Sequence, residues 1–365
     1  MSPPATSPPA VSLAAADRVL ALAVVALLVL ALLVFALLVL ERAVSTLAAR
    51  RARRREAALT PLVHRALADR AAALDLARAL GRGDRPVLRT MLLRLALDLR
   101  GEEARTIGLL YRGLGLLDAE LARLRRGSRR RRVEAAANLG TLMSPTALPA
   151  LVRALDDRDT GVRMAAVRAV GEVGGAKALA ALVGMLGDPS RAVARRAEEI
   201  LAEKGREIAG EIVAYLRETD QPAGRQAAVE LLGWLRAPEA APPLLALVGD
   251  PDGELRIRAV KAAAAIGDPR FLEPFHSLLA DPRWEVRCQA AKGLSLLGSP
   301  ESIPRLRAAL ADPVWWVRYH AAAALADLGP AGVAALEDAL TDARPAARET
   351  ARYRLARHGV AAARA

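Results

Sequence analysis

The chain has 365 residues, a formal net charge of +13, 53% apolar residues and only 3% aromatic ones. Small side chains, mainly Ala and Leu, must therefore do the packing, and that profile favours helices over sheets. One cysteine, Cys288, excludes an internal disulfide framework and a thiolate metal cage.

Residues 1–18 (MSPPATSPPA and the eight that follow) read as a disordered Pro/Ser-rich tail. Residues 19–40, Val19 to Leu40, form an unbroken apolar run without charge, Gly or Pro. At 1.5 Å per residue such a helix is about 33 Å long, enough to cross a hydrocarbon core of about 30 Å. A cleaved signal peptide would want a basic N-region, yet residues 1–17 contain no Lys or Arg. The expectation is an uncleaved anchor. It carries no polar side chain with which to conduct or relay protons, so it acts as a tether.

The basicity of the chain is local. Residues 41–58 hold six Arg and two Glu, residues 123–132 hold seven Arg and no acid, and together they supply +11 of the +13. The first run lies just after the apolar segment. The positive-inside rule then predicts a single-pass inner-membrane protein with its N-terminus outside and its C-terminal side in the cytoplasm. Arg50, Arg51, Arg53, Arg54 and Arg55 are candidates for contact with anionic lipid headgroups or an acidic partner.

Residues 59–125 carry helical patterns (PLVHRALADRAAALDLARAL, PVLRTMLLRLALDLR, EEARTIGLLYRGL) and read as degenerate repeats. From 126 to 365 self-similarity dominates. Segments opening at 126, 157, 188, 219, 250, 281, 312 and 342 align at steps of 31 residues, the last step being 30. A fixed period of this size marks a solenoid of stacked units. DPRWEVRCQAAKGLSLLG from Asp281 and DPVWWVRYHAAAALADLG from Asp312 are the clearest copies.

Each column of the alignment has a physical reading, with offsets counted from the opening residue. The opening residue is Asp in six units (Asp157, Asp188, Asp250, Asp281, Asp312, Asp342) and Pro follows four of them, which predicts a helix N-cap there. Offset nine is Ala in all eight units, so neighbouring helices can approach closely. Offset thirteen is Leu, Val or Ala on the same core-facing stripe. Offset seventeen is Gly in six units (Gly174, Gly205, Gly267, Gly298, Gly329, Gly359), the expected left-handed C-cap. A second amphipathic helix then leads to the next unit. The predicted fold is all-α, a solenoid of antiparallel helix pairs preceded by one transmembrane helix, with a single capping helix at the C-terminal end.

The D-P-x-x-x-V-R-x-x-A-A-x-x-L-x-x-L-G unit resembles bacterial HEAT repeats, particularly the subclass also found in phycobilisome chromophore lyases. The resemblance covers about residues 126–359. It implies an armadillo-like architecture and leaves two functional classes open, a protein-binding scaffold and a bilin-lyase-like enzyme.

Three sets of residues are candidates for function. Offset six is Arg in seven units, Arg132, Arg163, Arg225, Arg256, Arg287, Arg318 and Arg348, with Ala194 the exception. Recurrence in step with Asp favours a structural inter-repeat ladder, each Arg pairing with the opening Asp of its own or the next unit, over a basic stripe for an acidic partner. Trp284 and Trp315 share offset three, and Trp316, Tyr319 and His320 follow, so this cluster is the candidate partner-binding spot. Arg129, Arg130 and Arg131 are candidates for lipid or an acidic partner. The four His are scattered, with no H-E-x-x-H or comparable metal spacing, so no catalytic residue, metal or cofactor is expected. Outside the two basic runs the array is near neutral, which argues against nucleic acid. A protein partner associated with the membrane is the expected ligand, and no small-molecule substrate is expected.

Overall fold

The computed structural model describes residues 13–81, 83–99 and 102–362. All its regular structure is helical among the described residues, and it divides into two compact units, one running to Asp98 with Leu109–Leu116, the other comprising Leu99–Gly108 and everything from Leu117. Residues 1–12 of the expected tail lie outside the described residues.

In the first unit, α1 (Leu13–Ala68) is one continuous helix of 56 residues, so the apolar run, the Arg run and the following segment share a single rod. Helix already begins at Leu13, inside the segment expected to be disordered. Pro61 lies inside α1. The stretch from Val24 to Leu47 is exposed along its length. This is one helix long and apolar enough to cross a membrane, with a mean hydropathy of 3.1 in its most apolar stretch and none of that stretch buried. Its distal end packs differently. Leu59 and Val63 are buried there, and α2 (Arg70–Ala79) and α3 (Arg85–Asp98), which bury Leu76, Leu88 and Leu92, both touch α1.

After α4 (Glu102–Gly113) and α5 (Leu116–Arg126) the second unit settles into helix pairs. These are α6 (Arg129–Thr141) with α7 (Leu148–Ala154), α8 (Thr160–Val173) with α9 (Ala176–Gly184), and α10 (Arg191–Glu203) with α11 (Ala209–Glu218). There follow α12 (Pro222–Leu235) with α13 (Ala241–Leu247), α14 (Gly253–Ile266) with α15 (Leu272–Leu278), α16 (Trp284–Leu297) with α17 (Ile303–Ala309), and α18 (Trp315–Asp327) with α19 (Pro330–Asp338). The lone α20 (Pro345–Ala362) ends the series.

The first helices of successive pairs stack directly on one another, and the alanine column explains how. Ala135, Ala166, Ala197, Ala228, Ala259, Ala290, Ala321 and Ala351 are all fully buried. Glycines tighten two junctions further. A methyl group on Gly140 would sit 2.7 Å from the Cα of Ala169, and one on Gly233 would sit 2.7 Å from the Cα of Ala262. Offset thirteen, from Leu139 to Leu325, is buried on the same stripe, and only Leu355 of the final helix is partly open.

Two expectations about helix ends need correction. The opening Asp does not cap the helix, which begins three residues later in every unit, at Arg129, Thr160, Arg191, Pro222, Gly253, Trp284, Trp315 and Pro345. The Asp side chain instead closes a turn: Asp188 accepts the N–H of Ser190 at 2.7 Å, and Asp157, Asp250, Asp281, Asp312 and Asp342 do the same two residues on. An Asp whose side chain bonds its own backbone two residues on builds a turn as readily as a cap, and Pro fits that turn as well as it fits a helix start. The caps proper are two residues later; Asp159 and Asp252 accept N–H bonds from the first turn of α8 and α14. Second, α20 runs through Gly359 to Ala362, so Gly359 is a helix residue and not a C-cap.

The other offset-seventeen glycines do hold positive φ, Gly174, Gly205, Gly267, Gly298 and Gly329 all lying between 67° and 75°. Units 126 and 219 lack the glycine but keep the positive φ, with Met143 at φ 43° and Arg236 at φ 48°. The turn is dictated by the repeat, whichever residue occupies it.

Candidate functional site

The Arg column ties together the repeats on which the aromatic residues sit. Offset six lies one turn into each first helix, and its guanidinium spans two units. Arg163 donates through Nε and Nη2 to the two oxygens of Asp188 at 2.7 and 3.0 Å, while Nη1 donates to the carbonyl of Asp157 in its own unit. Arg256 with Asp281 and Arg287 with Asp312 repeat that fork. Arg132 with Asp157 and Arg225 with Asp250 pair less symmetrically. All five pairs are half-buried or deeper, so these arginines face a neighbouring repeat, not a ligand.

The ladder stops short of the C-terminal end. Arg318 bonds only the carbonyls of Asp312 and Pro313, and its Nε is buried without a partner. Asp342 stands one residue early in the shortened last step and pairs with Arg344 of its own turn. Arg348 bonds the Asp342 and Ala343 carbonyls. The expected inter-repeat rungs at Arg318, Arg348 and Asp342 are therefore absent.

The basic runs divide in the same way. Arg50, Arg51, Arg53 and Arg54 are exposed on α1, whereas Arg55 donates to the Gly83 carbonyl at 2.8 Å and lies 3.7 Å from Asp84. Arg130 and Arg131 are exposed, while Arg129 pairs with Asp159 at 2.8 Å.

The aromatic residues gather at the N-terminal ends of α16 and α18. Offset three is the first residue of each helix, ahead of the buried stripe, so a large ring there projects outward. Trp284, Trp315 and Trp316 are 39%, 46% and 51% exposed. Trp315 stacks on Tyr319 with ring centroids 5.2 Å apart and meets Trp316 edge-on at 4.7 Å; Trp316 in turn lies parallel to His320 at 6.4 Å. Geometries of this kind hold the rings in fixed orientations at little entropic cost.

A cleft of about 290 Å³ opens between the two helices, lined by Trp284, Glu285, Cys288, Gln289, Lys292, Trp316 and His320. The structure thus brings Trp284, Trp316 and His320 around one cavity and leaves Trp315 and Tyr319 beside it. Burial, with the Lys292 charge assisting, pushes the imidazole of His320 down to about 4, so the ring is neutral at pH 7. Burial also pushes the Cys288 thiol up to about 11, which makes it a poor nucleophile. Gln289, Cys288 and Lys292 were not singled out by sequence. The helical step of four from Trp284 and Glu285 points to Cys288 and Gln289, and a further step to Lys292.

One constellation with catalytic geometry was also invisible in the sequence. His276 Nε2 lies 2.9 Å from the Ser302 hydroxyl and Nδ1 lies 3.1 Å from a Glu273 carboxylate oxygen. Ser302 is fully buried and His276 nearly so, and neither lines the cleft. The trio ties α15 to the turn before α17. Among the described residues no group of three His, Cys, Asp or Glu side chains could hold a metal.

The sequence profile of the family described as HEAT repeats matches residues 117–202, 211–282 and 272–356. No curated protein matches the sequence. Among solved structures, the chain is similar to an engineered protein (22% identity, 80% of this chain and 89% of that one, TM-score 0.37). It is also similar to Kap121p (16% identity, 78% of this chain and 43% of that one, TM-score 0.39). A third is the complex of CpcE and CpcF of phycocyanin lyase from Nostoc sp. PCC7120 (21% identity, 60% and 92%, TM-score 0.29). With a matching profile over more than half of its length, and the repeat geometry described above, the chain belongs to the HEAT-repeat family.

Proposed function

We propose that this protein is a membrane-anchored scaffold whose HEAT-repeat array, on the cytoplasmic side, binds and positions or regulates a membrane-associated protein. Residues 19–40 form the span, and Arg50, Arg51, Arg53 and Arg54 hold the following segment at the inner leaflet. The mechanism is confinement plus recognition. A tether restricts the array to a thin layer beside the bilayer and raises its effective concentration for partners in the same layer.

The observation that carries this reading is the aromatic cluster. Three of the four tryptophans of the chain sit on neighbouring helix starts, each at least 39% exposed, beside a cleft with no activated nucleophile or metal set. Exposed Trp and Tyr on rigid elements are the residues that dominate protein-binding energetics. Crosslinking in membranes followed by affinity capture tests it: one dominant protein should be recovered, and Trp315→Ala with Trp316→Ala should deplete it. Release of the protein by alkaline carbonate washing, or a C-terminal tag cleaved by protease from the outside, would overturn the anchored, cytoplasmic arrangement.

A further inference from the structure

The aromatic patch extends beyond the cleft. On α20, Tyr353 is 45% exposed, and Arg357 lies 5.8 Å over its ring, donates to its hydroxyl at 2.9 Å and is within electrostatic reach of the Tyr319 phenol. Rings therefore stand on three consecutive first helices, Trp284 on α16, Trp315, Trp316 and Tyr319 on α18, and Tyr353 on α20. α16 touches α18 and α18 touches α20. We infer that this stripe binds a proline-rich peptide in the polyproline II conformation, laid across the three helices with one proline per repeat; the inference rests on the protein-binding reading above.

Spacing is the first argument. Packed helices stand about 8–10 Å apart. A polyproline II strand rises about 3.1 Å per residue with three residues per turn, so every third side chain returns to the same face after about 9 Å. A ligand with proline at every third position thus sets one ring in the cleft between Trp284 and Trp316 and the next one helix further on, beside Tyr319 and Tyr353.

Hydrogen bonding and charge choose the same ligand. The half-exposed Trp284, Trp315 and Trp316 carry indole N–H donors at the surface, and Gln289 and Lys292 add further donors at the cleft. Glu285, the one carboxylate there, already lies 3.5 Å from Arg283. A proline-rich strand offers carbonyl acceptors and few N–H groups, which suits a surface made of aromatic faces and exposed N–H donors. One acid, one base and a neutral His320 leave the cleft without net charge, so neither a cationic nor an anionic side chain is drawn to it. Because the ligand is already extended in solution, little ordering entropy opposes binding even to a shallow site.

The test uses the full chain in detergent micelles, titrated with a proline peptide of about ten residues, long enough for about three turns, and read by indole emission. Saturable binding is expected, with no response to a Gly-Ser peptide of equal length. Trp284→Ala and Trp316→Ala should each weaken it about tenfold or more. Trp234→Ala, on an isolated ring that is 68% exposed on α12, should leave it unchanged. Circular dichroism on each variant separates lost binding from lost folding. Absence of saturable binding, or binding indifferent to both cleft substitutions, overturns the inference. So does a Trp316-dependent response to an arginine-rich peptide or to anionic vesicles with none to proline. If the cellular partner is still captured through Trp316 while proline peptides fail, only this ligand class falls and the scaffold reading stands.

Discussion

Ala194 and Thr219 occupy the positions that Arg163 and Asp188 hold one repeat earlier, so the ladder loses its Arg and its Asp from the same rung. The turn survives the loss, with the Thr219 hydroxyl accepting the Gln221 N–H at 3.3 Å in place of the carboxylate. Loss of both partners together is what pairing between repeats requires, because a lone half-buried charge is costly whereas a missing pair is not. Restoring the pair with Ala194→Arg and Thr219→Asp should raise stability by about 1 kcal/mol, while each single change is neutral or destabilising. Thermal unfolding of the four-protein cycle checks this. Strict additivity would remove the pairing argument.

The ends of the ladder make a contrasting case. Arg287 is bound by both oxygens of Asp312 and is 12% exposed, whereas Arg318 meets only carbonyls. Asp312→Ala strands the Arg287 charge and should cost about 3 kcal/mol. Arg318→Ala gives up neutral acceptors and relieves an unpartnered buried Nε, so its cost should stay near 1 kcal/mol. Denaturant titration of the two variants measures the difference; an equal loss in both would show that the carboxylate contributes little beyond its own turn.

Much of this was legible from periodicity. The Ala column, the Leu column and the glycine turns are backbone and packing requirements repeated along the array, so chance resemblance at any one position averages out. The helix starts were misplaced because an Asp followed by Pro carries the same signal whether its carboxylate caps a helix or closes a turn before it. Trp284 and Trp316 were visible as residues but not as walls of one cleft, since that depends on the offset between two helices. Ser302, His276 and Glu273 meet only through the fold, 26 residues separating the hydroxyl from the imidazole, and no local pattern marks them.

His320 should make stability fall on mild acidification. Its imidazole is held neutral down to about 4 in the folded protein, against about 6.5 when exposed. Below pH 6.5 the unfolded chain takes up a proton that the folded chain refuses, so stability is complete above that value and declines as pH falls toward 4. Lys292, Glu285 and Cys288 share the cleft and Tyr319 meets the ring edge-on; of these Lys292 opposes the imidazolium. Water reaches the open side of the ring, which keeps the loss between pH 7 and pH 5 at about 1 kcal/mol. The carboxylates held low by arginine, Asp268 and Glu254 among them, titrate below this window. Unfolding midpoints of the parent and of His320→Gln over pH 5–8 should converge at the acid end, and parallel curves would exclude this origin.

The two non-glycine left-handed turns offer a gain. Met143 and Arg236 hold φ of 43° and 48°, a region that costs an ordinary residue about 1–2 kcal/mol through contact of its Cβ with the following carbonyl. Met143→Gly and Arg236→Gly remove that contact, although glycine gives up more chain entropy on folding, so a net gain of about 0.5–1 kcal/mol each is expected. Gly174 and Gly329 lie at the other extreme. Their ψ values of −169° and −153° combine with positive φ into a region that is essentially glycine-only. Gly267, at φ 74° and ψ 26°, sits in the ordinary left-handed well. Gly174→Ala and Gly329→Ala should therefore destabilise the array more than Gly267→Ala does, by about 1 kcal/mol or more. Ranking the five variants by thermal midpoint checks both directions at once: a Gly267→Ala variant as unstable as Gly174→Ala would mean that packing around the turns, and not the backbone angle, sets the cost.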